Sequence, residues 1–326
     1  MKNKLKDIKI LSMLDTDSRM PYSKIGKNIK LSQQLISHKV KNYLSDDIIS
    51  GFYPLIDYVR FGYLNFRVFF KVNYLSKEKF LELIKNLSKS NNVIEIAECG
   101  GRSDLLVVFA NTNPSQFNKQ FKSLIAQNPK QLKNYDILTT VVTHYYPRTY
   151  LTSIINDEDL VIGGDRPIIN INSLDKDILF FLNEDAKTSA ISIAKDLEVD
   201  PKTIILRMNN LKKAGIIKGF KPLLNVQKID FFVNKIIIKY HNLSVDREQE
   251  LQTFCKLNPN IIEFNKLIGS WDLELTVETK TKEEFRNIYI SIRERFEDII
   301  EDTESLQIFK IYKKRLLPEE FFLKEI

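Results

Sequence analysis

Gln33, Gln34, Ser37, His38 and Lys41 fall within nine residues, at spacings that gather them on one side of an α-helix. Side chains of these types reach base edges and phosphates from a helix lying in a major groove. Lys24, Lys27 and Lys30 precede them and could pair with backbone phosphates, which position a protein without reading sequence. The competing role for all eight is a solvated polar helix face. Gly101…Asp104 and Gly269…Asp272 offer a second chemistry. Glycine lets a ligand approach the backbone and exposes N–H groups to a carboxylate, while an aspartate can meet an ammonium. The plain alternative is two tight β-turns whose aspartates bond their own backbone. No catalytic set is visible: His38, His144 and His241 are scattered, and no Cys/His group has metal-ligand spacing. No enzyme activity and no cofactor are expected.

Leu5, Ile8, Leu11 and Leu14 mark the apolar stripe of a first helix, which Asp17-Ser18 breaks. A second helix is predicted from Tyr22 to Ile29, then a turn at Lys30-Leu31. Ser32 is a good N-cap for a third helix, with Ile36, Val40 and Tyr43 inward. Residues 48–52 read as a short strand that Pro54 ends. This pattern occurs twice. Residues 185–220 repeat 17–52 without a gap, Gly51 falling on Gly219 at an offset of 168 (219 − 51). Between 7–52 and 175–220 there are 13 identities in 46 positions, where chance at ~7% per position gives about three.

After each repeat the period changes. Residues 65–72 are β-rich, 76–88 helical with Phe80, Leu81, Ile84 and Leu87 inward, 93–98 and 105–109 are strands, 114–127 a helix and 137–144 a strand. The order returns as 234–240, 246–257, 261–267, 273–277, 282–296 and 305–312. Strand–helix–strand–strand–helix–strand is the ferredoxin-like order. The expected fold is therefore α+β: a helix-turn-helix with a short extended arm, which the family resemblance given below makes a winged helix-turn-helix, followed by a ferredoxin-like αβ sandwich, the pair duplicated in tandem. Expected boundaries are 1–54 and 60–150, a connector at 151–172, then 173–222 and 228–326. Gly163-Gly164-Asp165 and Pro167 read as a turn in the connector; no strand–GxGxxG–helix context makes a phosphate cradle of the double glycine.

Apolar content of 43% and charged content of 28% describe a globular chain with real cores. No apolar run approaches a membrane span and the N-terminus lacks a signal-peptide core, so a cytoplasmic protein without a membrane partner is expected. Cys99 and Cys255 do not occupy equivalent repeat positions and read as reduced buried thiols. The net charge of +7 is unevenly spread. Residues 1–53 set ten Lys/Arg against five Asp, a local +5, whereas 171–221 set nine Lys/Arg against seven Asp/Glu, only +2. The second third-helix face is also different: Lys202, Ile205, Leu206 and Asn209, then Lys213, with aliphatic residues where the first copy has Ser37 and His38. Thymine-methyl contact and packing against another domain or subunit both fit such a face. The first copy is expected to supply most of any DNA affinity. Lys39 and Arg207, toward the flank of the buried stripe, fit either a phosphate contact or an ion pair with a local carboxylate.

These residues resemble the Lrp/AsnC (feast/famine) family of transcription regulators. Asp17-Ser18-Arg19 and Asp185-Ala186-Lys187 match its D-A-R; Leu31-Ser32, Ile36, Lys39-Val40 and Val199-Asp200, Ile204, Arg207-Met208 match its L-S-x-x-x-V-x-x-R-v. Gly215–Phe220 matches G-v-I-x-G-y, and Gly101…Asp104 and Gly269…Asp272 match its regulatory G-x-x-D. The resemblance implies winged helices that bind double-stranded DNA, ferredoxin-like (RAM) domains that dimerise, a possible amino-acid effector near G-x-x-D, and further homo-oligomerisation. Most members carry one copy; two copies imply an intramolecular pseudo-dimer. One alternative is a non-DNA-binding partner of single-copy relatives. A siroheme decarboxylase shares the layout, but its H-N-Y stretch falls where this chain has Glu95–Asp104 and Glu263–Asp272, without histidine.

Overall fold

The structure, a computed structural model, describes residues 2–73, 76–151, 159–242 and 244–323. The first winged unit is α1 (Lys2–Thr16), α2 (Tyr22–Ile29), α3 (Gln33–Ser45) and β1 (Ile49–Ile56). There follow β2 (Leu64–Val72), α4 (Lys77–Ser88), β3 (Val93–Gly101), β4 (Leu105–Asn111), α5 (Pro114–Gln127), β5 (Leu132–Tyr145) and β6 (Leu160–Gly163). The second copy is α6 (Ser173–Glu184), α7 (Ala190–Asp196), α8 (Pro201–Lys213) and β7 (Ile217–Leu224). It ends with β8 (Phe232–Tyr240), α9 (Val245–Leu257), β9 (Ile261–Ile268), β10 (Leu273–Thr279), α10 (Lys282–Arg295), β11 (Ile300–Lys314) and α11 (Glu319–Leu323).

Helix starts are fixed locally. Ser32 accepts a bond from the Leu35 amide and Asp200 from the Lys202 amide, each satisfying an otherwise orphaned N–H. Two inward faces differ from expectation. In α1, Ile10, Leu11 and Leu14 are buried while Leu5 is exposed; in α4, Leu83 is buried and Leu81 exposed. The connector also differs, because Leu160–Gly163 is a strand paired with β5; Gly163 and Gly164, both at positive φ, make the turn that follows it.

Strands β5–β2–β4–β3 and β11–β8–β10–β9 are two ferredoxin-like sheets, each in the same order. They join twice, β3 to β11 and β9 to β5, and so close an eight-stranded antiparallel barrel with β6 appended to β5. The two seams pair β3 with residues 306–314 of β11 and β9 with residues 139–145 of β5, covering edges that each half alone would expose. Helices α4 and α5 cover one half through Phe66, Phe70, Leu83, Phe117 and Phe121; α9 and α10 cover the other through Ile236, Phe264, Leu251 and Ile292. The alternate strand residues face inward and merge with the winged-unit cores into one cluster.

The two wings pair with each other. β1 runs antiparallel to β7, with Phe52 opposite Pro222 and Pro54 opposite Phe220. Since 52 + 168 is 220 and 54 + 168 is 222, the register is its own image under exchange of the copies, the mark of an approximate twofold. Pro54 and Pro222 therefore lie inside strands rather than ending them. A two-stranded ribbon leaves every second N–H facing outward, where a proline costs no ladder bond.

Candidate nucleic-acid interface

On α3, Gln33, Gln34, His38 and Lys41 are exposed and Ser37 is half-buried, over a buried stripe of Ile36, Val40 and Tyr43. Lys24, Lys27 and Lys30 are exposed on α2 and the turn after it. Among the described residues, none of the side chains of Gln33, Gln34, Lys24, Lys27, Lys30 and Lys41 is engaged in a hydrogen bond or ion pair, whereas His38 Nδ1 lies 3.5 Å from the Asn42 amide. On α8, Lys202 and Asn209 are exposed beside Ile205 (51%) and Leu206 (59%). The aliphatic pair is thus not packed against another domain of this chain.

Lys39 and Arg207 go the other way. Lys39 meets Asp7 at 2.7 Å and Arg207 meets Asp175 at 2.9 Å, equivalent pairs at the offset of 168 that tie the third helix of each unit to its first. Arg19 and Lys187, also equivalent, were absent from the expected site yet hold the two winged units together. Arg19 donates to the carbonyls of Ala186 and Thr188, and Lys187 to the Tyr22 hydroxyl. Burial, with Arg19 nearby, lowers the Lys187 ammonium to about 8. The repetition of a cation at this offset was the available signal.

The G-x-x-D loops lie at the two barrel seams. Gly101 (φ +116°) pairs with Leu306, and Gly269 (φ +149°) packs so closely that a Cβ would stand 2.6 Å from Leu138 Cδ2 and 3.0 Å from the Ile137 carbonyl oxygen. Glycine is demanded there by the approach of the other half. Asp104 accepts from the Val72 amide and meets Lys71 at 3.2 Å; Asp272 accepts from the Tyr240 amide and meets Lys239 at 3.1 Å. Neither bonds its own turn. Instead each carboxylate clamps the end of a neighbouring strand.

The loops also touch each other. The Arg102 guanidinium lies 5.0 Å from the Trp271 ring centroid, and meets Asp136 at 3.0 Å and Glu304 at 3.2 Å. Ser270 donates to Asp136. Asp136 and Glu304 are equivalent at the offset of 168, so one arginine occupies the place where the two loops converge.

Inside the barrel lies a charged network. Glu274, wholly buried, receives Arg67 through Nε and Nη2 (3.2 and 2.9 Å), Lys235 at 2.6 Å and Asn265 at 3.2 Å. Lys235 also reaches Thr276, which donates to Glu263, which in turn holds Lys314 at 2.8 Å. Burial alone would push the Glu274 and Glu263 carboxyls up, but the adjoining cations outweigh it and hold both below the usual range. His38, His144 and His241 lie on α3, on β5 and after β8, and His144 is held by Asp159 at 2.9 Å. Among the described residues, no group of His, Cys, Asp and Glu forms a metal site. No described helix is long and apolar enough to cross a membrane.

Paired wings above a closed double ferredoxin-like barrel define a tandem winged-helix protein. A family model described as winged helix-turn-helix DNA-binding matches residues 171–218. Over 137 residues the chain is 30% identical to the regulatory protein AsnC of Haemophilus influenzae, covering 42% of this chain and 90% of that protein. Over 125 residues it is 32% identical to the transcriptional regulator AzlB of Bacillus subtilis, covering 37% of this chain and 78% of that one. The chain belongs to the Lrp/AsnC family. A crystal structure of the siroheme decarboxylase NirDL aligns over 98% of this chain and 97% of its own, with a TM-score of 0.59 and 13% identity. At that identity the likeness concerns the fold alone, and it is the duplicated arrangement that the two share.

Proposed function

We propose that the chain is a sequence-specific DNA-binding transcriptional regulator acting as an intramolecular pseudo-dimer. The observation that carries this is the face of α3: Gln33, Gln34, Ser37, His38 and Lys41 are open to solvent or nearly so, and Lys24, Lys27 and Lys30 stand free beside them. The regulators named among the relatives support it. Lys41 and the three α2-side lysines would neutralise about four phosphates, giving a log–log salt slope of roughly −3 to −4. In gel shifts on a selected genomic fragment, His38→Ala with Lys41→Ala should weaken binding at least ~10-fold, and Lys202→Ala with Asn209→Ala less. The reverse ranking would assign the main reading role to α8; a flat salt dependence on DNA and heparin would favour a non-DNA-binding partner.

An amino-acid effector at the G-x-x-D loops belongs to the same proposal. Arg102 fills the convergence of those loops, so a ligand whose ammonium seeks Asp136 or Glu304 must move it off Trp271. Trp271 is the single tryptophan. Titration with the responsible amino acid should therefore shift the intrinsic emission, and a spectrum indifferent to all twenty would remove the effector from the proposal.

A further inference from the structure

The two reading helices are related by a twofold but not by chemistry. Any two elements exchanged by a twofold stand at the same height along its axis, so α3 and α8 present themselves at equal depth to a duplex lying across that axis. The self-imaged register of β1 and β7 holds them in that relation. Yet three polar positions of the first unit, Ser23, Ser37 and His38, are Ile191, Ile205 and Leu206 in the second. All three aliphatic side chains are exposed, by 72%, 51% and 59%. They are framed by cations: Lys202 at the start of α8, Lys212 and Lys213 at its end, Lys195 on α7.

Ile205 and Leu206 cannot donate to or accept from a base edge. In the major groove the apolar feature of a base pair is the thymine C5-methyl group, and aliphatic side chains recognise it by contact. Asn209, one turn on, is the residue type that pairs with adenine N6 and N7. The helix therefore suits T·A pairs, approached through phosphates that its lysines neutralise. We propose that α8 reads thymine methyl groups through Ile205 and Leu206, so that one chain takes an operator whose half-sites are inverted in geometry and unlike in sequence. This rests on the chain being a DNA-binding regulator.

Deoxyuridine in place of thymidine removes the methyl group and nothing else. In a selected operator, substituting the thymines of one half at a time should weaken binding about 4-fold for each contacted methyl in the half facing α8, from ~0.8 kcal/mol per buried carbon. The same change in the other half should alter it less than about 2-fold. Ile205→Ser with Leu206→His, the residues of the first copy, should abolish the deoxyuridine effect while leaving the melting temperature unchanged. An operator bound equally well with and without its methyl groups in both halves would overturn this reading and leave the regulator standing. Failure to bind any duplex fragment would overturn the regulator, and this reading with it.

Discussion

Glu274→Ala should lower the unfolding free energy by about 3–5 kcal/mol, read as the urea midpoint at pH 7. The substitution strips Arg67 and Lys235 of their shared carboxylate in a barrel interior where Glu274 is wholly buried and Arg67 and Lys235 nearly so. An uncompensated buried cation costs more than the pair contributes, and a typical domain has only ~5–15 kcal/mol in all. The other copy shows an alternative solution: Leu106, Val108 and Ala110 occupy the positions equivalent to Glu274, Thr276 and Glu278. Glu274→Leu combined with Arg67→Met and Lys235→Met should therefore recover most of the loss. Glu274 and Glu263, at 4.5 in the unfolded chain, are held lower in the folded one. A depressed carboxyl contributes stability above its unfolded value and loses it as pH falls through the folded one. Stability should thus decline as pH falls below about 5, more shallowly in the triple variant. A loss under ~1 kcal/mol for Glu274→Ala would mean that water reaches the network.

Local signals made most of the fold readable. Ser32 and Asp200 cap the helices expected of them, and the ferredoxin-like order appears twice, because caps and periodicity depend on near neighbours. Leu5 and Leu81 misled because three-residue spacing drifts off a 3.6-residue face, putting Leu5 beyond the stripe that Leu11 and Leu14 continue. What remained hidden depends on the meeting of the halves. Arg67 within NFRVFFKV and Glu274 within LELTVET alternate with apolar residues, as the solvent face of a strand does, and only closure of the sheet turns that face inward. The same closure lengthens β3 through Gly100 and Gly101 onto β11, and brings Arg102 to Trp271. Four residues at 160–163 carry too little pattern to announce β6 without β5 beside them.

A second large effect is expected where the first winged unit meets the barrel. Arg148 donates to Glu278 through Nε (2.8 Å) and Nη2 (3.0 Å), and to Asp15 through Nη1 (2.6 Å) and its amide (3.1 Å). Lys221 stands 3.4 Å from Asp15, and Tyr150 donates to Glu278. The cluster thus joins α1 through Asp15, the wing through Lys221 and the barrel through Glu278. Burial opposes the Asp15 charge, but Lys221 and Arg148 overcome it and hold the carboxyl below its usual value. Arg148→Leu leaves Glu278 with only a tyrosine and Asp15 with only the Lys221 ammonium, and should cost about 3–5 kcal/mol. Amide exchange in α1 should quicken with it, since the lost bonds are those that dock α1. The equivalent positions again supply the control. At the offset of 168, Asp15, Arg148, Lys221 and Glu278 correspond to Asn183, Leu316, Tyr53 and Ala110, a neutral set that is equally buried, with Asn183 donating to the Leu317 carbonyl. Asp15→Asn, Arg148→Leu, Lys221→Tyr and Glu278→Ala together imitate that set and should be milder than Arg148→Leu alone, because no buried charge is then left unpaired. If the single and quadruple variants unfold at the same midpoint, the cost lies in lost packing of the arginine stem, and the ionic link between winged unit and barrel has no energetic weight.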